Sequence, residues 1–254
     1  MTDSEIFVRR IADHAEAAAR KSVDYTGFLS EEEQIECAAV LKKLGARFSF
    51  FGGIENAERK VCAVYTEFFS EEWLSFPISL VEITLNDRSA EVRHPDCLGS
   101  LLGLGLKRSV IGDIVFHNGK IYVAAEEKIA EHICSQLDRI GKYACSAKVA
   151  DPSVIVSNER RFETVGLIIS SNRLDCYVSA IAGISRERAA FEIKAGNIRL
   201  NGAQVYEATK RLSLGDRLSV RGSGKYIVDS DPNECPKTHK NRLRINLKKY
   251  ERSN

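Results

Sequence analysis

No stretch of this 254-residue chain is apolar for long enough to cross a bilayer: the longest weakly polar run, Cys97 to Leu106, carries three glycines and stops at Lys107-Arg108. Met1-Thr2-Asp3-Ser4-Glu5 lacks the basic-then-apolar pattern of a secretory signal. The seven cysteines are odd in number and include no Cys-x-x-Cys pair, which fits free thiols in a reducing cytoplasm. Gly103-x-Gly105 lacks the third glycine of a dinucleotide fingerprint, because position 108 is Arg, and it follows a helical pattern, so no nucleotide cofactor is expected. His94 with Cys97, and His132 with Cys134, offer two ligands each without partners at zinc-site spacing, and the cysteines read as core thiols. His14, His117 and His239 lie apart from any Ser or Cys in a nucleophile setting, so no hydrolytic triad can be assembled.

Net charge is also small, at +2, but it is unevenly spread. Residues 1–160 hold 19 Lys and Arg against 25 Asp and Glu, a net of −6, whereas residues 161–254 hold 18 against 10, a net of +8. A basic C-terminal third on an acidic body points to nucleic acid at one end of the chain.

The basic part is organised around Ser170 to Asp229. Leu174, Val178 and Ile181 recur at helical spacing and predict a short helix ending near Gly183. Ser185 is a good N-cap for a second helix whose Ala189 and Ile193 point inward, with Gly196 just past its end. Asn201-Gly202 between Ile198-Arg199-Leu200 and Gln204-Val205-Tyr206 predicts a hairpin, because both turn positions accept positive φ. Arg217 to Val220 predicts a further strand. Arg186 and Arg188 fall in the first turn of the second helix, where the macrodipole disfavours cations and an anion is welcome. An RNA phosphate would satisfy both arginines and the helix start; a solvated face neutralised by Asp175, Glu187 and Glu192 is the other reading.

The succession Arg173-Leu174-Asp175, Ser185-Arg186, Gly196-x-Ile198-x-Leu200-Asn201-Gly202, Gly215-Asp216 and Val220-Arg221-Gly222 resembles the RNA-binding domain named after small-subunit ribosomal protein S-four. That resemblance implies a two-helix face gripping structured RNA by shape and phosphate, with Arg173, Ser185, Arg186, Arg188, Arg199, Arg221 and Lys225 as contacts; Lys194 joins them as a basic residue that avoids the apolar positions. The resemblance expects an S-four-like αα-plus-β domain over residues 166–232. Residues 233–254 form a basic tail in which Ile245 and Leu247 alternate with polar residues, a pattern that fits a strand with one basic face over part of it. Lys237, Lys240, Arg242 and Arg244 there read as a phosphate-contacting arm, or else as a solvated terminus.

Upstream, residues 1–75 read as a helical pair followed by a hairpin: a helix over 4–20, a second opened by the capping box Ser30 and Glu33 and ending near Gly45, then strands Ala46–Phe51 and Val61–Tyr65. Residues 76–150 read as β-α-β-β-α-β: strand 78–85, helix 95–106, strand 113–116, an Asn118-Gly119 turn, strand 121–125, helix 126–140 and strand 143–149. This is the ferredoxin-like order shared with RNA-recognition motifs, in an α+β chain. Tyr122 alone stands where such motifs stack bases, so sequence-specific base reading is not expected there. Residues 151–165, with Pro152, read as a linker. Lys107-Arg108 is either a helix-end charge pair or a second RNA contact.

Phe50-Phe51-Gly52-Gly53, Ala57-Glu58-Arg59-Lys60, His94-Pro95-Asp96-Cys97-Leu98-Gly99, Gly103 to Arg108 with Gly112-Asp113-Ile114, and Ala124-Ala125-Glu126-Glu127 add a second resemblance. Together with the C-terminal third they are similar to the YlmH family of bacterial RNA-binding proteins over nearly the whole length. That implies a cytoplasmic, non-enzymatic factor, monomeric when free, that binds ribosomal RNA and peptidyl-tRNA on the large ribosomal subunit and takes part in rescuing obstructed translation. The family usually has an aromatic between the glycines where this chain has Gly222-Ser223-Gly224. Two other classes stay open: an RNA-modifying enzyme, because pseudouridine synthases also carry Arg-Leu-Asp around a catalytic aspartate, although Asp175 here reads as a helix-start carboxylate bracing Arg173, and a protein-interaction adaptor linked to cell division.

Overall fold

The computed structural model describes residues 2–87, 89–151, 154, 156–157 and 162–250. Pro152 of the expected linker, and Glu251 and Arg252 of the tail, lie outside them. The chain divides into two compact units with the boundary at about residue 160.

The first unit opens with α1 (Asp3–Lys21), β1 (Val23–Leu29) and α2 (Glu31–Lys43). Capping boxes start both helices, Thr2 with Glu5 and Ser30 with Glu33. β2 (Arg47–Phe51) and β3 (Lys60–Tyr65) follow, and the sheet order is β1-β3-β2. The expected helical pair with a hairpin is therefore corrected: a strand lies between the helices and makes the hairpin a three-stranded sheet. β1 hides in the sequence because Asp24, Thr26 and Gly27 interrupt its apolar positions. Each of those residues has a structural reason. Asp24 pairs with His14 at 2.8 Å, the Thr26 hydroxyl accepts from Cys62 N at 2.9 Å, and a Cβ at Gly27 would meet Ser109 O at 2.8 Å.

The chain continues through β4 (Ile78–Leu85), α3 (His94–Gly103), β5 (Ile111–His117), β6 (Lys120–Glu126), α4 (Glu127–Gln136), β7 (Arg139–Ile140) and β8 (Tyr143–Val149). Strand order is β5-β6-β4-β8-β7. α4 is shorter than the expected helix 126–140. Its chain leaves the helix at Leu137, and Arg139 and Ile140 pair with Ala144 and Tyr143 around Gly141, whose φ is +57°.

Alternation along these strands builds two cores. Val81, Ile83, Ile121, Val123 and Ala125 face α3 and α4 with Cys97, Leu101, Ala130 and Ile133. Tyr122, Ala124 and Val115, on the opposite face, pack with Phe28, Ile54, Ala57 and Val61. α1 and α2 cover the other side of the three-stranded sheet, Phe7, Ile11, Cys37 and Leu41 packing with Leu29 of β1 and Cys62 of β3. The unit is thus layered helix, sheet, sheet, helix. Val156 is buried in the inter-sheet core and Val154 packs against it, so part of the expected linker is core.

The second unit comprises β9 (Phe162–Ile169), α5 (Leu174–Ala182), α6 (Arg186–Lys194), β10 (Ile198–Leu200), β11 (Ala203–Gln204), β12 (Arg217–Val220), β13 (Gly224–Val228) and β14 (Leu243–Tyr250). One six-stranded sheet runs β11-β10-β12-β13-β14-β9. Gly183 ends α5 in the left-handed region at φ +65°, and Asn201 and Gly202 make the hairpin turn at +53° and +83°. The strand marked by Ile245 and Leu247 is β14, but its place as a trailing tail is corrected: it is an interior strand, paired with β13 on one side and β9 on the other. Ile245 and Leu247 are fully buried with Leu174, Tyr177, Ile193 and Leu218.

Candidate nucleic-acid interface

α5 and α6 cover one face of the six-stranded sheet and carry the first group of expected contacts. The opening turn of α5 is closed by the chain itself, with Leu174 N donating to Lys210 O at 2.8 Å and Asp175 N to Ala208 O at 3.0 Å. Asp175 is 4% exposed yet charged groups surround it. Arg173 donates through Nε to Oδ1 at 3.2 Å and through Nη2 to Oδ2 at 2.9 Å; Arg186 Nη2 donates to Oδ2 at 3.0 Å. Burial pushes this carboxyl up, but the hydrogen bonds from Arg186 and Arg173 outweigh it and hold it below the ordinary aspartate value. Arg186 in turn is raised by its hydrogen bond to Asp175. The site is a clamp, two cations on one buried anion, with Arg173 and Arg186 still 38% and 50% exposed.

Ser185 caps α6 by accepting from Arg188 N at 3.2 Å. The Arg188 guanidinium pairs with Glu192 one turn on, at 2.7 Å, and lies 4.9 Å from the ring centre of Phe191, which is 58% exposed. Arg221 Nη1 donates to Asn197 Oδ1 at 3.2 Å, and Asn197 Nδ2 donates to Glu192 Oε2 at 2.7 Å. Arg188 and Arg221 are therefore tied to one polar chain. Lys194 stands exposed in the last turn of α6, where a cation suits the dipole.

Arg199, Lys225 and Arg244 fall elsewhere. Leu200, Leu218, Val220, Tyr226, Ile245 and Leu247 point toward the helices, and strand alternation sends the intervening residues to the other face. Arg199 lies opposite Ser219, which lies opposite Lys225. Lys248 lies opposite Ile227, which lies opposite Arg217. The expected RNA-binding set is thereby divided over two faces of one sheet. Lys237, Lys240 and Arg242 belong to a tight turn: Lys237 bridges to Leu243, Asn241 N donates to Thr238 O at 2.8 Å, and Thr238 N donates to Arg242 O at 2.8 Å. Lys240 and Arg242 are exposed on it.

Sequence reasoning placed Glu192 on this face as a neutralising acid but missed Phe191 and Asn197 as parts of the surface. An exposed aromatic on the polar side of a charged helix, three residues from Arg188, was the available signal.

In the first unit the sheet face that an RNA-recognition motif would offer to bases is occupied. Tyr122 is 5% exposed and donates its hydroxyl to Glu82 Oε2 at 3.1 Å, while Lys120 Nζ donates to Glu82 Oε1 at 2.8 Å. Arg108 donates to the carbonyls of Ile111 and Gly112, and Arg59 to those of Ile111, Phe28 and Arg108. These two arginines lace the segment before β3 to the start of β5. Asp113 completes the lacing by accepting from Glu58 N and Arg59 N. Burial lowers Arg108 to about 10, with Arg59 adding to the shift. Among the described residues no three His, Cys, Asp or Glu side chains converge as a metal site, and no helix is long and apolar enough to cross a membrane.

A family profile described as a putative RNA-binding domain in YlmH matches residues 72–152. The Bacillus subtilis protein named ribosome-associated protein quality control protein P2 is 32% identical over 204 residues, spanning 79% of this chain and 78% of that one. A solved structure of the cell division protein ylmH from Streptococcus pneumoniae superposes with a TM-score of 0.52 at 18% identity, over 59% of this chain and 93% of that one, a likeness of fold. On the strength of these matches the chain belongs to the YlmH family.

Proposed function

We propose that this protein is a non-enzymatic RNA-binding factor that associates with the large ribosomal subunit, contacts ribosomal RNA and peptidyl-tRNA there, and serves quality control of stalled translation in the cytoplasm. The observation that carries the reading is the helix-side cation arrangement of the second unit. Arg173 and Arg186 are locked on Asp175, and Arg188 and Arg221 are locked through Glu192 and Asn197, so four guanidiniums are held in fixed positions by two carboxylates and positive charge remains in excess. Fixed guanidiniums suit phosphates of a folded RNA, which are recognised by position and shape. The fold of residues 166–232, extended by β14, serves as the S-four-like domain. Residues 76–150 serve as a ferredoxin-like domain whose sheet face is used internally.

The Bacillus subtilis relative, named for ribosome-associated quality control, supports the ribosomal setting. The pseudouridine synthase alternative is disfavoured by Asp175, whose two oxygens are both engaged by arginines in a buried position. The test is co-sedimentation of the full chain with purified large subunits, followed by crosslink mapping. The native chain should pellet with the subunit and crosslink to ribosomal RNA and tRNA, and a variant with Arg188, Lys194 and Arg221 all changed to Gln should not. A native chain that stays in the supernatant would overturn the reading.

A further inference from the structure

The groove beside Arg188 has a composition that phosphate contacts leave unexplained. Val178, Ala182 and Ile184, with Ile198 of β10 and Val220 of β12, floor an opening of about 340 Å³. Arg188, Glu192, Asn197 and Arg221 form its rim. The rim side chains make one continuous chain of hydrogen bonds, with a guanidinium at each end. Such a chain fixes the outline of the opening, because no member can turn without breaking a bond to its neighbour.

A phosphate would gain nothing from the floor. It would give up water against five aliphatic side chains that offer no donor. A flat apolar-faced group gains from the same surface, and the volume sits at the low end of the range for small-molecule sites, about 300–1,000 Å³, so one such group fills it. The rim adds a carboxylate and an amide within reach of a polar edge, and the two guanidiniums suit an anionic backbone on either side. Flat groups with polar edges hung on an anionic backbone are the nucleotides of RNA, and unpaired ones are free to leave the stack.

We propose that this groove receives a single unpaired nucleobase of the bound RNA, with Arg188 and Arg221 on its flanking phosphates. The proposal rests on the RNA-binding reading above and adds to it a preference for an RNA with an extruded base.

The test uses the full chain and two hairpin RNAs, one fully paired and one carrying a single bulged 2-aminopurine. The native chain should bind the bulged hairpin about tenfold more tightly, as burying the apolar face of one base allows. The 2-aminopurine fluorescence should change on binding. Ala182→Leu fills the groove without altering a charge. It should bring the bulged hairpin to the affinity of the paired one and leave the paired hairpin unchanged, with the melting temperature confirming its fold. Equal binding of the two hairpins by the native chain without a fluorescence change would overturn the base pocket and leave RNA binding by the helix face intact. So would a folded Ala182→Leu chain that keeps the preference and the signal. Failure of the native chain to bind either hairpin would overturn both readings. Should Ala182→Leu not fold, the fluorescence of the native complex decides alone, a change supporting the pocket and its absence overturning it.

Discussion

Arg186 on α6 and Asp175 on α5, eleven residues apart, are joined at 3.0 Å with the carboxylate almost wholly buried. The bond crosses from one helix to the other, so this arginine holds the helix pair together while half of its side chain stays in solvent. Its place in the first turn of α6, poor for a cation, points instead to a phosphate contact whose removal leaves stability unchanged.

Arg186→Glu should accordingly lower the melting temperature. Removing one partner of a buried pair costs about 3–5 kcal/mol when the other is left uncompensated, and with Arg173 remaining on Asp175 a loss of about 1–2 kcal/mol is expected. Denaturant unfolding of the two chains measures it, and an unchanged midpoint would return Arg186 to a purely RNA-facing role.

Acid should weaken the same helix pair. The folded Asp175 titrates below its unfolded value, so its contribution is complete above about pH 3.9 and is lost as the pH falls through the lower folded value. Asp175→Asn should therefore be less stable than the native chain at neutral pH, with the gap narrowing below about pH 4. A gap independent of pH would show that the ionised form is not what the arginines hold.

Ending the chain at residue 242 removes β14 and with it Ile245 and Leu247, both fully buried. The expected outcome is loss of cooperative unfolding in the second unit, seen by circular dichroism during a urea titration. The phosphate contribution of the basic turn is better read from Lys237, Lys240 and Arg242 changed together to Gln. Every cation that had met a phosphate should, once removed, flatten the salt dependence of RNA binding by about 0.7–0.9 in log–log slope, with the melting temperature unchanged.

Gly112→Ala tests the packing of the two sheets in the first unit. A Cβ there would meet Phe28 Cε1 at 2.5 Å and the Ala124 Cβ at 2.9 Å. Overpacking of this kind costs about 1–3 kcal/mol. The first unit should lose stability while RNA affinity of the folded protein stays the same.

Local signals made much of the second unit legible. Ser185, Gly183 and Asn201-Gly202 each announce a cap or turn within a few residues, and all three act as their types suggest. β9 was harder, because Glu163, Thr164 and Gly166 break its apolar pattern, and β14 showed only in the alternation of Ile245 and Leu247 before Lys248 and Lys249 break it. Their pairing is long-range, and residues such as Glu163 and Lys249 stand opposite each other across strands that no window contains. The candidate surface was legible by residue type but not by place. That Arg199 and Arg188 serve opposite faces follows from strand register, and that Asp175 meets Arg186 follows from how two helices cross.

The pairing of Phe162 with Tyr250 places the first strand of the second unit beside its last. While the chain is being made, β9 leaves the ribosome long before its neighbour exists, and every element between them must be synthesised first. Closing so long a loop is slow, and the early strand waits with an unsatisfied edge. A chain released before residue 243 therefore carries both helices of its candidate RNA surface but not the strand that braces the sheet beneath them.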